Sequence, residues 1–250
     1  MKLLFFVALL WAMLAIIFAF TDLQISMAFA NPNSRWGNFL ADWGRYPGYI
    51  TLLVALCIGA FRILSMSVFS LLGHKKKRGY RKTVIVSSQA MMFAKVTIGV
   101  AFLNALFVNV TKYVWGRVRF YDLDALFSQY TPWYLPQGSN GHRSFMSGDA
   151  ALGWLLLPIV ILFLDRNRAT RISITALAIG WGTAVAIGRV RVGAHYASDV
   201  LFSTGVAIIA CLLLYQYFSS RARSARRVDT EIAKTGTRPE GVGLGSAKRA

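Results

Sequence analysis

Charge is scarce in this chain, and negative charge scarcest of all. Only 15% of its 250 residues are charged, and 10 Asp and Glu stand against 28 Lys and Arg. So few and so scattered carboxylates are a poor set for holding the pair of divalent cations that many hydrolases use, and a metal mechanism is disfavoured. Cysteine is nearly absent as well. Cys57 and Cys211 are the two present, both inside apolar runs, which excludes a disulfide framework and offers no zinc-ligand spacing. No internal repeat and no low-complexity block is evident, and nothing in the sequence calls for a cofactor.

What is abundant is apolar surface. At 56% hydrophobic content the chain is too greasy for an ordinary soluble domain. Six apolar segments stand out, roughly 3 to 20, 49 to 73, 92 to 111, 152 to 164, 172 to 188 and 200 to 218. Most approach the ~18–20 residues that a helix needs to cross about 30 Å of hydrocarbon; the fourth is short and could begin near Ala150. The expected fold class is therefore all-α, a polytopic membrane protein with six transmembrane helices in a bundle. The formal charge of +18 could suggest nucleic acid, but the cations lie mostly in short blocks between the apolar segments, which points to a bilayer surface and away from nucleic-acid binding.

Six spans put both termini on one side. The stretch HKKKRGYRK at 74–82 carries six Lys/Arg, DRNRATR at 165–171 three, and the tail from Ser219 eight, which with Lys2 makes eighteen. The opposite loops, 21–48, 112–151 and 189–199, carry two, four and two, or eight. The positive-inside rule then places both termini in the cytoplasm, as in a bacterial cytoplasmic membrane, with the second set of loops facing the periplasm or outer surface. Arg62 and Lys95 fall in or beside spans 2 and 3 and read as side chains snorkelling toward headgroups, the alternative being a buried functional pair. MK followed by an apolar run and then AFA at 28–30 has some features of a signal peptide; the length of the run and the polar TDLQIS before AFA favour a retained helix. Residues 1–218 form the expected membrane domain. Residues 219–250, poor in large apolar side chains, form an expected disordered basic cytoplasmic tail whose RARSARR cluster meets anionic headgroups.

On the charge-poor outer side, the remaining charges gather in three places. In KYVWGRVRF, 112–120, Lys112 and Arg119 are seven residues apart and share a face if the third helix continues, so that both can grip one anion; Arg117 points elsewhere. In GHRSFMSGDA, 141–150, Ser147 and Gly148 open a helix whose free N–H groups and dipole form a phosphate cradle, or else an ordinary N-cap. In GRVRVGAHYASD, 188–199, His195 and Asp199 are spaced i, i+4, so the carboxylate can fix one imidazole nitrogen and leave the other as nucleophile or base. Arg189 adds a guanidinium across a short turn, with a fork suited to phosphate, while Arg191 most simply meets headgroups.

These three stretches together resemble the type-2 phosphatidic acid phosphatase superfamily, whose signature runs K-x6-R-P, P-S-G-H and S-R-x5-H-x3-D. Spacing within each motif, their order and the six-span plan agree from about span 3 through span 6. The resemblance implies that His195 attacks phosphorus to give a phosphohistidine and that Asp199 orients it. It further implies that Lys112, Arg119 and Arg189 bind phosphoryl oxygens, with Ser147 and the Gly148 N–H completing the pocket. The implied activity is metal-independent removal of phosphate from a membrane lipid. Substrate classes in the family include phosphatidic acid, phosphatidylglycerol phosphate, undecaprenyl pyrophosphate and lipid A, with lipid A slightly favoured here. A lipid phosphotransferase using the same intermediate, or a silent lipid-phosphate binder or flippase, are the alternative readings.

Four positions depart from the signature. Phe120 and Met146 replace prolines, Gly188 replaces a serine, and Asp149 stands where the family has the histidine that protonates the leaving alcohol. Asp149 is expected to act as that acid with a dianionic substrate in place, with His142 as the reserve candidate.

Overall fold

A computed structural model describes residues 2–71 and 87–235. Among the described residues all regular structure is helical: α1 (Lys2–Phe29), α2 (Arg35–Trp43), α3 (Tyr46–Leu71), α4 (Ser88–Trp115), α5 (Gly148–Gly153), α6 (Arg168–Arg191) and α7 (Ala197–Thr235). A 3₁₀ turn occupies Phe120–Asp122, and a longer 3₁₀ helix, Trp154–Phe163 with Pro158 inside it, prolongs α5. Helices satisfy their own backbone groups, which is what a chain this apolar requires in lipid. Five stretches are long and apolar enough to cross a membrane: Lys2–Phe29, Arg35–Ser67, Ser88–Asp122, Arg168–Arg191 and Ala197–Ala225. The fourth apolar segment of the sequence becomes the shorter Gly148–Phe163. The chain is thus an all-helical, multi-pass membrane protein.

Local signals set several boundaries. Ser34, Ser87 and Asn167 cap α2, α4 and α6, their side chains accepting from the N–H groups of Gly37, Ala90 and Thr170. Two boundaries differ from the sequence reading. α1 runs on through the polar TDLQIS to Phe29, because Asp22 and Ser26 face the protein interior. The segment after it folds into α2, an amphipathic helix that leaves Trp36, Phe39 and Trp43 exposed and is too short to register as an apolar run.

The chain divides into two units, Met1–Leu214 and Tyr215–Ala250. In the first, large apolar side chains such as Phe5, Phe20, Leu53, Ile63, Phe102 and Leu177 stay exposed while small residues line the helix contacts, the distribution expected of a protein solvated by lipid. A Cβ on Gly48 would lie 2.1 Å from the Leu152 carbonyl oxygen, so α3 rides directly on the α5 backbone. Trp11 Nε1 donates to Leu201 O at 3.2 Å and Trp181 Nε1 to Gly44 O at 3.0 Å, tying α1 to α7 and α6 to the α2–α3 corner.

In the second unit, residues 215–235 are helical, with Arg221 over the Tyr217 ring at 4.9 Å. The expectation of disorder from Ser219 is corrected over 219–235: Ala and Arg in RARSARR are good helix formers and propagate a helix already nucleated by an apolar run. The rest of that tail, 236–250, and the basic stretch 74–82 lie outside the described residues. Arg62 and Lys95 sit on exposed faces of α3 and α4.

Candidate active site

The C-terminal ends of α1, α4 and α6 meet the N-terminal ends of α3, α5 and α7, and this convergence carries all three motifs. α4 ends one residue before Gly116, whose φ of 50° is left-handed, and a Cβ there would sit 2.1 Å from the Gly138 oxygen. The freed α4 carbonyls are taken by the following loop: Gly138 N donates to Val114 O and Gln137 N to Trp115 O, each at 2.9 Å. Lys112 and Arg119 therefore do not share a helical face as expected. Arg119 lies in extended backbone beyond the helix, donating to the Tyr121 hydroxyl. The chain turns back beyond the helix, leaving Lys112 within electrostatic reach of Arg119, Arg189, Arg143 and Asp149. Its Nζ is 3.9 Å from where a Cβ on Gly148 would stand.

Ser147 is the N-cap of α5 and accepts from Ala150 N at 3.3 Å. Asp149, in the first turn, is held between two guanidiniums. Its Oδ2 lies 3.2 Å from Arg189 Nη1 and its Oδ1 3.4 Å from Arg45 Nη1. His142 lies in an exposed loop, its N–H bonded to Asn140 Oδ1 at 3.0 Å.

α6 ends with Arg189 and Arg191 in its last turn, where cations suit the helix dipole. The turn to α7 passes through Gly193 at φ 74°, and the Ala194 and His195 N–H groups both bond to Arg189 O. His195 precedes α7, and Asp199 is its third residue. Asp199 Oδ2 reaches back to the Tyr196 N–H at 3.1 Å, as in a capping box, and also accepts from Ser144 Oγ at 2.5 Å. His195 Nδ1 is 3.5 Å from the same oxygen, an approach longer than a good hydrogen bond, and Nδ1 has no other acceptor. Both side chains are closed off, at 2% and 0% exposure. Burial holds the His195 imidazole below its ordinary pKa, the Asp199 contact opposing this and the nearby Arg189 and Lys112 reinforcing it, so the neutral ring is favoured.

Sequence reasoning undervalued Arg117 and missed its partner. Arg117 is 1% exposed and donates through Nη1 to Asp199 Oδ1 at 2.6 Å, through Nη2 to Asp22 Oδ2 at 2.9 Å, and through Nε to Thr131 O at 2.8 Å. Its guanidinium lies 3.9 Å from the centre of the Tyr196 ring. The signal was available: a lone acid two residues past the first apolar run, close enough to extend its helix, is expensive unless paired. Arg45, at the α2–α3 corner, was also missed. Arg191 does not simply meet headgroups, since its Nη1 donates to Phe29 O at 2.6 Å and its guanidinium lies over the Phe29 ring, joining α6 to the end of α1.

Packing explains three of the departures from the signature. A Cβ on Gly188 would approach Leu40 Cβ to 2.8 Å, so glycine there lets α2 lean on α6. Phe120 stacks on Phe127 with centroids 5.9 Å apart, and Met146 fills a buried cluster with Val108, Phe145 and Ala151.

A helical membrane bundle that buries a histidine against an aspartate, with Lys112 and Arg189 close by, defines the class: a multi-pass membrane protein with a cation-flanked histidine at one end of its helices. Residues 92–223, more than half of the chain, match the PAP2 superfamily, and the chain belongs to that family. Among curated proteins it is 31% identical over 110 residues to phosphatidylglycerophosphatase B of Haemophilus influenzae, covering 42% of this chain and 44% of that protein. It is 26% identical over 208 residues to lipid A 4'-phosphatase of Francisella tularensis subsp. novicida, covering 80% and 87%. The chain thus spans less than half the length of the first relative and most of the second. No solved structure matches.

Proposed function

We propose that this protein is a metal-independent lipid phosphatase that works through a phosphohistidine at His195. The observation that carries the reading is the buried His195–Asp199 contact, made at Nδ1 with Arg189 and Lys112 close by. It leaves Nε2 as the ring nitrogen free to attack. The Nε2 lone pair forms the N–P bond as the bond from phosphorus to the lipid oxygen breaks; water then attacks phosphorus, the imidazole leaves, and phosphate is released. Lys112, Arg119 and Arg189 neutralise the non-bridging oxygens. The Ser147 hydroxyl, whose oxygen is already an acceptor, has its proton to donate, and the Gly148 N–H lies in the first turn of α5.

In this reading the incoming phosphate takes Arg189 from Asp149, the protonated Asp149 carboxyl gives its proton to the leaving oxygen, and the carboxylate so formed takes a proton back from the water that attacks phosphorus. His142 is the reserve donor. Loss of turnover in Asp149→Asn with His142→Ala unaffected assigns the proton to Asp149, and the reverse assigns it to His142. Full turnover in both means that the leaving group needs no strong acid.

The substrate we favour is a phosphorylated membrane lipid, with lipid A slightly ahead of phosphatidylglycerol phosphate, phosphatidic acid and undecaprenyl pyrophosphate. The match to a lipid A 4'-phosphatase over most of both chains supports that order. In a bacterial cytoplasmic membrane the basic termini would lie in the cytoplasm and the site at the outer face. Gly148–Phe163 would be the sixth crossing of a phosphatase domain at 1–218. Its six α-helical and ten 3₁₀ residues, at ~1.5 and ~2.0 Å each, reach about 29 Å. The decisive experiment is lipid mass spectrometry of membranes with and without the protein, and with His195→Ala, seeking a species that loses one phosphate. Persistence of that loss in His195→Ala refutes the mechanism, and loss of lipid phosphate without free phosphate points to transfer.

A further inference from the structure

The match to the family begins at residue 92, yet the most enclosed charge cluster among the described residues draws one of its three members from α1. Asp22, Arg117 and Asp199 are each at most 1% exposed. Besides its pairing with Arg117, Asp22 accepts from the Ser198 N–H at 2.9 Å through Oδ1 and from the Ser198 hydroxyl through Oδ2. It therefore does two things at once. It caps the second residue of α7, fixing where the helix carrying Asp199 begins, and it holds the far side of the guanidinium whose near side grips Asp199.

The charge count gives this a consequence. Two carboxylates around one guanidinium leave one negative charge over, and Asp199 is the member that faces His195. With Asp22 neutral, Arg117 would offset the charge of Asp199 alone, and nothing would be left to stabilise the imidazolium-like nitrogen of a phosphohistidine. The groups facing the cluster are Tyr196 and Tyr130 over the guanidinium, and those facing His195 are Asp199, Arg189 and Lys112. None of these supplies a substitute anion.

We propose that Asp22 is a positioning residue of the reaction, acting through Arg117 to set the orientation and residual charge of Asp199 at His195. The proposal rests on the phosphohistidine reading and reaches past the motifs that define it.

The test uses the full chain in detergent micelles with dioleoyl phosphatidic acid as probe and released phosphate as readout. Asp22→Asn is expected to lower kcat by about 10- to 100-fold, by analogy with the loss of an outer partner that orients a metal ligand. KM should change far less, and the acidic limb of kcat/KM should move to lower pH because a negative charge near His195 has gone. Asp22→Glu should recover part of kcat. Unchanged kcat with an unshifted limb in Asp22→Asn overturns the proposal, as does a loss matched entirely by a smaller folded fraction on size exclusion. If Asp22→Asn does not fold, Ser198→Ala decides, since it removes the hydroxyl that accepts from Arg117 Nη1 at 2.8 Å and donates to Asp22 while keeping every charge: a fall in kcat at constant KM upholds the proposal, and wild-type kcat overturns it. His195→Ala in the same assay separates the two readings. Activity there sinks the phosphohistidine itself, whereas an inactive His195→Ala beside a wild-type Asp22→Asn sinks only the role of Asp22.

Discussion

Arg45 offers a sharp test of how a carboxylate is tolerated inside a phosphate pocket. In the proposed function Asp149 must not repel the substrate, and its two guanidinium partners would prevent it. Arg45→Ala removes the partner that substrate does not need, leaving Asp149 to compete with phosphate for Arg189. Charge centres about 4 Å apart interact by ~1 kcal/mol in water and ~4 kcal/mol at an effective dielectric of 20. The Arg45 side chain is 39% exposed and Asp149 19%, so screening puts the contribution near the lower figure, about 1 kcal/mol or fivefold. We therefore expect Arg45→Ala to raise KM for phosphatidic acid in mixed micelles about fivefold with kcat little changed. In an Asp149→Asn background, where no carboxylate needs neutralising, the same substitution should shift the KM of the residual turnover less than about twofold. The difference should fade toward 1 M salt, where the screening length is only ~3 Å. Equal effects of Arg45→Ala in both backgrounds would refute the coupling, and a KM insensitive to Arg45 in either would refute the role altogether.

Three further outcomes are expected. The acidic limb of kcat/KM should report an apparent pKa below 6.5, because burial depresses His195 and the attacking form is the neutral ring: activity is full above 6.5 and lost as pH falls through the lowered value, and a limb at or above 6.5 contradicts the assignment. Arg117→Gln leaves two enclosed carboxylates without their cation and should cost about 3–5 kcal/mol of stability, read from thermal unfolding in detergent by tryptophan fluorescence; a near-neutral result would mean that the cluster admits water. Gly48→Ala drives a methyl into the Leu152 carbonyl, which cannot rotate away as a side chain could, so a loss of about 1–3 kcal/mol is expected by the same measurement, with the wild-type midpoint as the refuting result.

Much of the fold and part of the candidate site's layout were legible in the sequence for physical reasons. Long apolar runs can only be helices in lipid, and the chemistry-bearing residues of His195–Asp199 and Ser147–Gly148 lie close together in the chain. Contacts between distant segments were not legible. Arg119 comes within electrostatic reach of Lys112 past a left-handed turn at Gly116 that a helical wheel does not represent. Asp22 looked like a polar interruption because its partner is 95 residues away. Arg45 carried no local signal, since a cation at a helix corner reads as a headgroup contact until Asp149 is found beside it. The helical stretch 219–235 shows the opposite error, composition suggesting a loose tail where good helix formers continue an existing helix.

The 3₁₀ helix Trp154–Phe163 has a further consequence. At three residues per turn its side chains stack in straight columns instead of winding round the axis, and Leu155, Pro158 and Ile161 form one such column, all of them buried, while Leu156, Leu157, Ile159 and Val160 between them are only half covered. Tolerance to polar substitution along this segment should therefore repeat every third position, a rhythm distinct from those of an α-helix and a strand, and a single inserted residue should turn the buried column by about 120° toward lipid.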